Sequence, residues 1–462
     1  MVGALAKSLA RAGHQVGVVT PLYLGVREKL PELKLLQALD LPLGSQRIHG
    51  EIWSIEPQQG LTIYFVDQPG FYHRSALYQV HSVDFPDNAE RFIYFSKAAA
   101  HLALSLDWKP ELIHVHDWQA APTALFIRHA LKQSPTNHGP RTCITLHNLA
   151  YQGIFPANRY ALTNLPWDYF NPEGAEFYGQ MNCLKTGIAF ADAITTVSPT
   201  YAREITTPEL GFGLEGLLRK RQGSLTGILN GVDYDEWNTT HNPHIKHPFD
   251  VENLGGKLAN KLDLQAELGL PVDTAIPLFG SISRLVEQKG ADILIGAIEE
   301  MLSANLQFVL LGTGSPEFER SFQELGRRFS SRSAIRIQFE QALSHRIEAG
   351  CDFFLMPSRF EPCGLNQMYS LEYGTIPIVR KTGGLDDSVV DVREDASKAN
   401  GIKFSECSAA ALSKAIQKAL ALYAEPEALQ HFRQNAMNAD FSWDRTTAEY
   451  LRVYEQALSL GH

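Results

Sequence analysis

The segment MVGALAKSLARAGHQVGVVTPLY, residues 1–23, sets the fold class. Val2, Leu5, Ala6 and Leu9 recur at helical spacing, Gly13 stops the helix, and Val16 to Thr20 reads as a buried strand. A helix feeding a strand in this way is the second half of a βαβ unit. It calls for a parallel sheet and for a strand before the helix.

The same alternation continues along the chain. Strand-like runs LIHVH (112–116), TCITLH (142–147), PLFGSIS (277–283), FVLLG (308–312), IRIQF (335–339) and DFFLMPS (352–358) are separated by amphipathic helical segments, the pattern of α/β folds with parallel sheets. Between about Asn238 and Asn260 it gives way to TTHNPHIKHPFDVENLGGK, whose Asn, His, Pro and Gly read as a linker or hinge. Residues 1–240 and 241–440 are therefore expected to form two α/β domains. In SWDRTTAEYLRVYEQALSL, Ser442 is a candidate N-cap, and Tyr450, Leu451, Tyr454 and Leu458 share one apolar helix face. Residues 441–462 are expected to pack back on the N-terminal domain. Ligands of open α/β sheets bind beyond the carboxyl ends of the strands, so two facing sheets would create one cleft, with the chemistry in the loops after strands.

Composition narrows the partners. With 462 residues, 44% apolar and 10% aromatic, the chain is globular and exceeds a single core. A formal charge of -10 and the lack of a Lys/Arg cluster speak against nucleic acid. There is no apolar run long enough to span a membrane and no secretory signal, so a cytoplasmic protein is expected, or a stromal one in a plastid-bearing organism. Cys143, Cys183, Cys351, Cys363 and Cys407 are scattered, as reduced thiols would be.

Several post-strand loops are dense in polar groups. RLVEQKG places Arg284 and Lys289 at the mouth of a helix starting near Gly290, where side-chain charge and the helix dipole would add on a diphosphate; two solvated surface charges are the plainer reading. KTGGLDDSV offers Gly383 and Gly384, which permit close approach of a phosphate to backbone N–H groups but also serve purely conformational ends. GTGSPE (312–317) resembles a dinucleotide fingerprint with Glu317 in place of the third glycine, a weak basis for a nicotinamide-dependent oxidoreductase. RFEPCGLNQMY puts Glu361 at a strand's carboxyl end. HVHDWQA contributes His114, His116, Asp117 and Trp118, and TLHNLAYQG contributes His147 and Asn148. Strand alternation points His114 and His116 to one face, and no matched ligand set accompanies them, so hydrogen-bonded histidines are expected and no metal. A glucose-sized ligand facing this Asp, His and Asn group is equally compatible.

Taken in order, HVHDWQA, TLHNLAYQGIF, LNGVDYDEWN, SRLVEQKG, SRFEPCGLNQMYSLEYG and VRKTGGLDDSV resemble the ADP-glucose-dependent glycogen and starch synthases of bacteria and plastids, over nearly the whole chain. Many relatives in the wider two-Rossmann-domain (GT-B type) glycosyltransferases carry a second glutamate eight residues after the first, and Tyr369 stands there. The resemblance implies glucosyl transfer with retention from ADP-glucose to the non-reducing end of glycogen or another α-1,4-glucan, without cofactor or metal. It implies that Arg284 and Lys289 bind the donor diphosphate. Glu361 acts at the donor glucose, with Cys363, Gly364 and Leu365 continuing its loop. His147 lies near the anomeric carbon. Asp117, Asn148 and Asn230 contact sugar or acceptor, and Lys381, Thr382, Gly383 and Gly384 the substrate. Phe339 stands where family members often place an aromatic against the adenine.

The family also begins with a strand and a Lys-x-Gly-Gly-Leu loop that runs into a sequence like VGAL. On that comparison the first strand and turn, about 20 residues by usual element lengths, are expected to precede residue 1. Two other readings stay open: a non-catalytic α-glucan-binding protein on the same fold, and another retaining nucleotide-sugar transferase.

Overall fold

The computed structural model describes residues 1–80, 83–133 and 139–459. They divide into two compact units. One contains Met1–Val197, Ala202–Ile228 and Thr446–His462; the other contains Ser198–Tyr201 and Leu229–Arg445.

In the first unit the opening helix is Val2–Arg11 and the strand it feeds is Val16–Pro21. That strand pairs in parallel with Leu61–Asp67, from Val16 opposite Leu61 to Pro21 opposite Val66. The sheet then turns antiparallel through Gln46–Gln58 to Lys34–Leu43, a meander that the parallel expectation does not contain. A second sheet has the order Leu225–Gly227, Ala193–Thr196, Arg141–Leu146, Leu112–His116, all parallel. Val16–Pro21 and Leu112–His116 each stand at an edge of their sheet. The last helix, Trp443–Ser459, belongs to this unit from Thr446 onward: Thr447 Oγ1 donates to Ser8 Oγ at 2.8 Å, and Tyr454 Oη lies 2.7 Å from His114 Nδ1.

The second unit is a six-stranded parallel sheet, in the order Ser333–Arg336, Gln307–Leu311, Leu278–Ile282, Phe353–Met356, Ile376–Arg380, Ile402–Phe404. Its strands are buried on both faces, as helix-covered parallel strands must be. One face packs on Leu294, Ala297, Ile298, Leu412 and Ile416, the other on Leu264, Leu343 and Ile347. The Asn/His-rich stretch expected to be a linker is part of this packing. Asn242 donates through Nδ2 to Tyr373 Oη at 2.7 Å and lies 3.0 Å from His345 Nδ1, while Ile245 and Phe249 are buried with Tyr373. Asn242, one of the polar residues that suggested solvent, is satisfied by buried partners, while His241, Lys246 and Asp250 stay exposed. The chain changes unit at Ile228/Leu229 rather than near residue 240.

Candidate active site

Three loops at the carboxyl ends of neighbouring strands in the second unit build one group. The loop after Leu278–Ile282 carries Arg284, then a single 3₁₀ turn, Glu287–Lys289, then Gly290. Gly290 has φ +70°, and a Cβ there would lie 2.1 Å from the carbonyl oxygen of Pro357. Only glycine allows this approach, which brings the turn onto the loop after Phe353–Met356. Arg359 then clamps the two loops: its N–H donates to Gln288 O at 2.8 Å, and its guanidinium donates to both oxygens of Asp292 at 2.7 and 2.8 Å. Arg380, ending the third strand, donates through Nε to Ser358 O at 2.8 Å.

The product of this clamping is a close ion pair. Lys289 Nζ lies 2.5 Å from Glu361 Oε2, which also accepts from Ser358 Oγ at 3.1 Å. The Glu361 residue is 5% exposed, so its charge is compensated where water contributes little. Lys289, part-exposed, can still reach outward. Arg284 is exposed and forms no ion pair among the described residues, leaving its guanidinium open to an anion.

Other expected residues take different places. The close approach allowed by Gly383 and Gly384 is used by protein backbone. A Cβ on Gly383 would sit 2.0 Å from Glu361 O, one on Gly384 2.0 Å from Cys363 O, and the Gly384 N–H donates to Glu361 O at 3.0 Å. The Gly384 half of the anticipated phosphate cradle is thus committed to holding the Glu361 loop. Thr382 is buried beneath it. Lys381 is half-exposed, with Nζ 3.5 Å from Glu394 and 3.9 Å from Asp386. Cys363 is buried with Asn230 hydrogen-bonded to its thiol, which makes Asn230 a neighbour of the Glu361 loop. Gly364 turns that loop at φ +72° and Leu365 is exposed after it. Phe339 is 92% exposed, an open ring available for stacking. The glycines of GTGSPE have a packing role: a Cβ on Gly312 would meet Ser283 O at 2.0 Å, and one on Gly314 would meet Leu285 O at 2.2 Å. They are needed for the Arg284 loop rather than for a dinucleotide.

In the first unit a second polar group follows the strand Leu112–His116. Asp117 adopts φ +53°, unusual for a residue other than glycine, and its Oδ1 accepts the N–H of His147 at 2.8 Å. Burial pushes the Asp117 carboxyl up to about 7, opposed by the N–H groups of His147 and Asn148. His116 Nδ1 and His147 Nε2 are 3.1 Å apart, and His114 Nε2 is 2.6 Å from Thr145 Oγ1. Burial holds all three imidazoles neutral, lowering His147 to about 4 and His114 to about 3, with His116 lowered as well. Asn148 caps its own turn, accepting the Ala150 N–H at 3.1 Å. Among the described residues no group of His, Cys, Asp and Glu has a metal-binding arrangement.

Comparison with known proteins fixes the family. Residues 1–220 match the family described as starch synthase catalytic domain, and residues 269–439 match glycosyl transferases group 1. A glycogen synthase of Anaeromyxobacter sp. (strain Fw109-5) is 45% identical over 460 residues, covering 98% of this chain and 94% of that protein. The glycogen synthase of Syntrophotalea carbinolica is 40% identical, covering 100% of this chain and 96% of the other. The chain belongs to the glycogen synthase family. It is a glycosyltransferase, and its α/β architecture is of the GT-B type. The solved catalytic domain of starch synthase IV from Arabidopsis thaliana, bound to ADP and acarbose, is 34% identical with a TM-score of 0.88, covering 99% of this chain and 95% of that one. A sucrose-phosphate synthase of Thermosynechococcus elongatus, 18% identical with a TM-score of 0.59 over 100% of this chain and 93% of its own, shares the fold alone.

One support of the site leaves almost no signal in the sequence. Trp237, from LNGVDYDEWN, is sandwiched between Tyr369, at 3.8 Å and 3° between ring planes, and His345, at 4.0 Å and 23°. The position where many GT-B relatives have a second glutamate is therefore one wall of an aromatic stack. The DYDEW run held the only local hint of it, an aromatic at the end of an acidic turn. No helix among the described residues is long and apolar enough to cross a membrane.

Proposed function

We propose that this glycosyltransferase transfers glucose from ADP-glucose to the 4-hydroxyl at the non-reducing end of an α-1,4-glucan, with retention of configuration. The observation that carries the reading is the Lys289–Glu361 pair, whose lysine lies on the same loop as the exposed Arg284. In this proposal the second unit takes the donor and the first takes the acceptor.

The bond from C1 of glucose to the diphosphate oxygen breaks, and a bond from C1 to the acceptor oxygen forms on the same face. The acceptor proton leaves with the diphosphate. Lys289 and Arg284 stabilise the negative charge that grows on the departing diphosphate, a role that preorganised cations fill at little reorganisation cost. As Lys289 engages that charge, Glu361 is left facing the electron-poor sugar and supports its oxocarbenium character. Retaining glycosidases instead use two carboxylates about 5 to 5.5 Å apart, one of them a nucleophile. Glu361 has no such assigned partner, which favours the front-face route. Asp117, held by the His147 and Asn148 amides, orients sugar hydroxyls, and Phe339 offers its ring to the adenine.

Release of ADP from ADP-glucose in the presence of glycogen tests the proposal, with UDP-glucose as the competing donor. Glycogen binding without ADP release would favour a non-catalytic glucan-binding role. Preference for UDP-glucose would favour another nucleotide-sugar transferase.

A further inference from the structure

Three histidines of the first unit form a row across two neighbouring strands, and each meets the next in a different way. His114 and His116 share one face of Leu112–His116, and His147 follows its parallel partner, Arg141–Leu146. Both ring nitrogens of His114 are engaged: Nδ1 lies 2.7 Å from Tyr454 Oη, and Nε2 lies 2.6 Å from Thr145 Oγ1, itself 2.6 Å from Thr195 Oγ1. Neither is left for its neighbour. His116 meets His114 ring against ring, with centroids 4.2 Å apart and 36° between planes.

The contact of His116 with His147 is a hydrogen bond. His116 Nδ1 lies 3.1 Å from His147 Nε2, so one proton joins two neutral rings. The next residue grips the same partner, Asp117 Oδ1 accepting the His147 N–H at 2.8 Å. Consecutive side chains of an extended strand point to opposite faces, so His116 and Asp117 would diverge if the strand ran on. The φ of +53° at Asp117 ends that alternation, and the two side chains close on His147, one on its ring and one on its main chain. A strained backbone at a non-glycine residue is the counterpart of this double grip.

We infer that His116 is a positioning residue for the transfer reaction: it holds His147 in one tautomer and one ring orientation, with Nδ1 of His147 left for the bound sugar. That nitrogen has no partner among the described residues. A neutral imidazole donates through one nitrogen and accepts through the other, and a ring that exchanged tautomers would offer a sugar hydroxyl either. Burial keeps His147 in this neutral form. The bond from His116 removes the choice, and His114, fixed at both nitrogens, backs His116 through the stack. The inference rests on the proposed reaction, with His147 at its sugar.

Two substitutions separate positioning from packing. His116→Phe keeps a ring against His114 and removes Nδ1, whereas His116→Asn puts an amide where Nδ1 stood and removes the ring. Expected for His116→Phe are a melting temperature near wild type and a kcat lowered about ten- to hundredfold, with the donor KM within about threefold. His116→Asn should melt about 2 to 4 °C lower yet regain most of that kcat. Nitrogen NMR of the chain labelled at histidine reads the tautomer itself, since a fixed one gives two well-separated ring resonances and an exchanging one gives averaged signals. His147 should be fixed in wild type and in His116→Asn, and averaged in His116→Phe. A kcat of His116→Phe within about twofold of wild type, or losses of kcat that follow the losses of melting temperature, would overturn the positioning role and leave the proposed activity intact. A wild-type chain that releases no ADP would overturn the proposed function. The nitrogen spectra decide on His116 in either case, and His147 resonances unchanged in His116→Phe would overturn its role.

Discussion

Replacing Lys289 by alanine tests the centre of the proposal, because stability and rate should respond for different reasons. In the folded chain Lys289 Nζ lies 2.5 Å from a carboxylate whose residue is 5% exposed. Removing one partner of a fully buried pair typically costs about 3 to 5 kcal/mol, since the other charge is left uncompensated. Here Glu361 keeps its hydrogen bond from Ser358, and the part-exposed lysine stem leaves a path for water, so a loss of about 2 to 3 kcal/mol is expected. Glu361→Gln in the same background removes the orphaned charge, and the double variant should recover most of that stability. Activity should behave otherwise. Loss of a preorganised partner of developing charge lowers kcat by roughly a hundred- to thousandfold, and neutralising Glu361 cannot restore it. Urea unfolding and ADP release on the two single variants and the double variant complete the cycle. A Lys289→Ala chain retaining more than about a third of wild-type kcat, well short of the expected loss, refutes the diphosphate role. Strictly additive stability effects refute the coupling of the pair.

Arg284→Ala should lose a similar factor, about a hundred- to thousandfold in kcat/KM, while its melting temperature stays within about 2 °C of wild type because the guanidinium is exposed; a large fall in melting temperature would instead mark a structural arginine. Gly290→Ala forces a side chain into a backbone at φ +70° and against Pro357 O, so it should cost at least about 1 to 3 kcal/mol and disturb Lys289; an unchanged urea midpoint would refute the close-approach argument. Asp117 makes stability depend on pH. Its folded-state value of about 7 is raised above the ordinary 3.8, so its favourable contribution is complete below about pH 4 and is lost as pH rises to about 7, by at most about 4 kcal/mol at about 1.36 kcal/mol per unit. Asp117→Asn keeps an acceptor for the His147 N–H but not the titration, so the gap between wild type and variant should change over that window; parallel profiles from pH 4 to 8 would refute the assignment.

What could be read in the chain, and what could not, follows from the range of the interactions. Strand runs and the loops after them are local patterns, and they placed Arg284, Lys289 and Glu361 at strand ends without any long-range information. The meeting of Lys289 with Glu361 spans 72 residues and depends on Gly290, Arg359 and Arg380 acting together, none of which is marked by spacing. Glycine is ambiguous for a physical reason: the missing Cβ that would admit a phosphate admits a carbonyl equally well, and at Gly312, Gly314 and Gly384 the structure uses it for a carbonyl. Polar composition is ambiguous in the same way, since Asn242 finds His345 and Tyr373 in the interior and does not need the solvent that its segment suggested. The meander at residues 34–67 has the alternation of half-buried strands, but its edge positions are exposed, which weakens the apolar pattern that identified the parallel strands. Asp117 and Tyr178 are hidden most deeply, because local preference argues against the backbone they adopt. Where local preference and observed conformation disagree, a specific contact holds the backbone: the His147 and Asn148 amides do so for Asp117, and the Glu176 carboxylate, accepting the Gly179 N–H at 2.6 Å, does so for the turn at Tyr178.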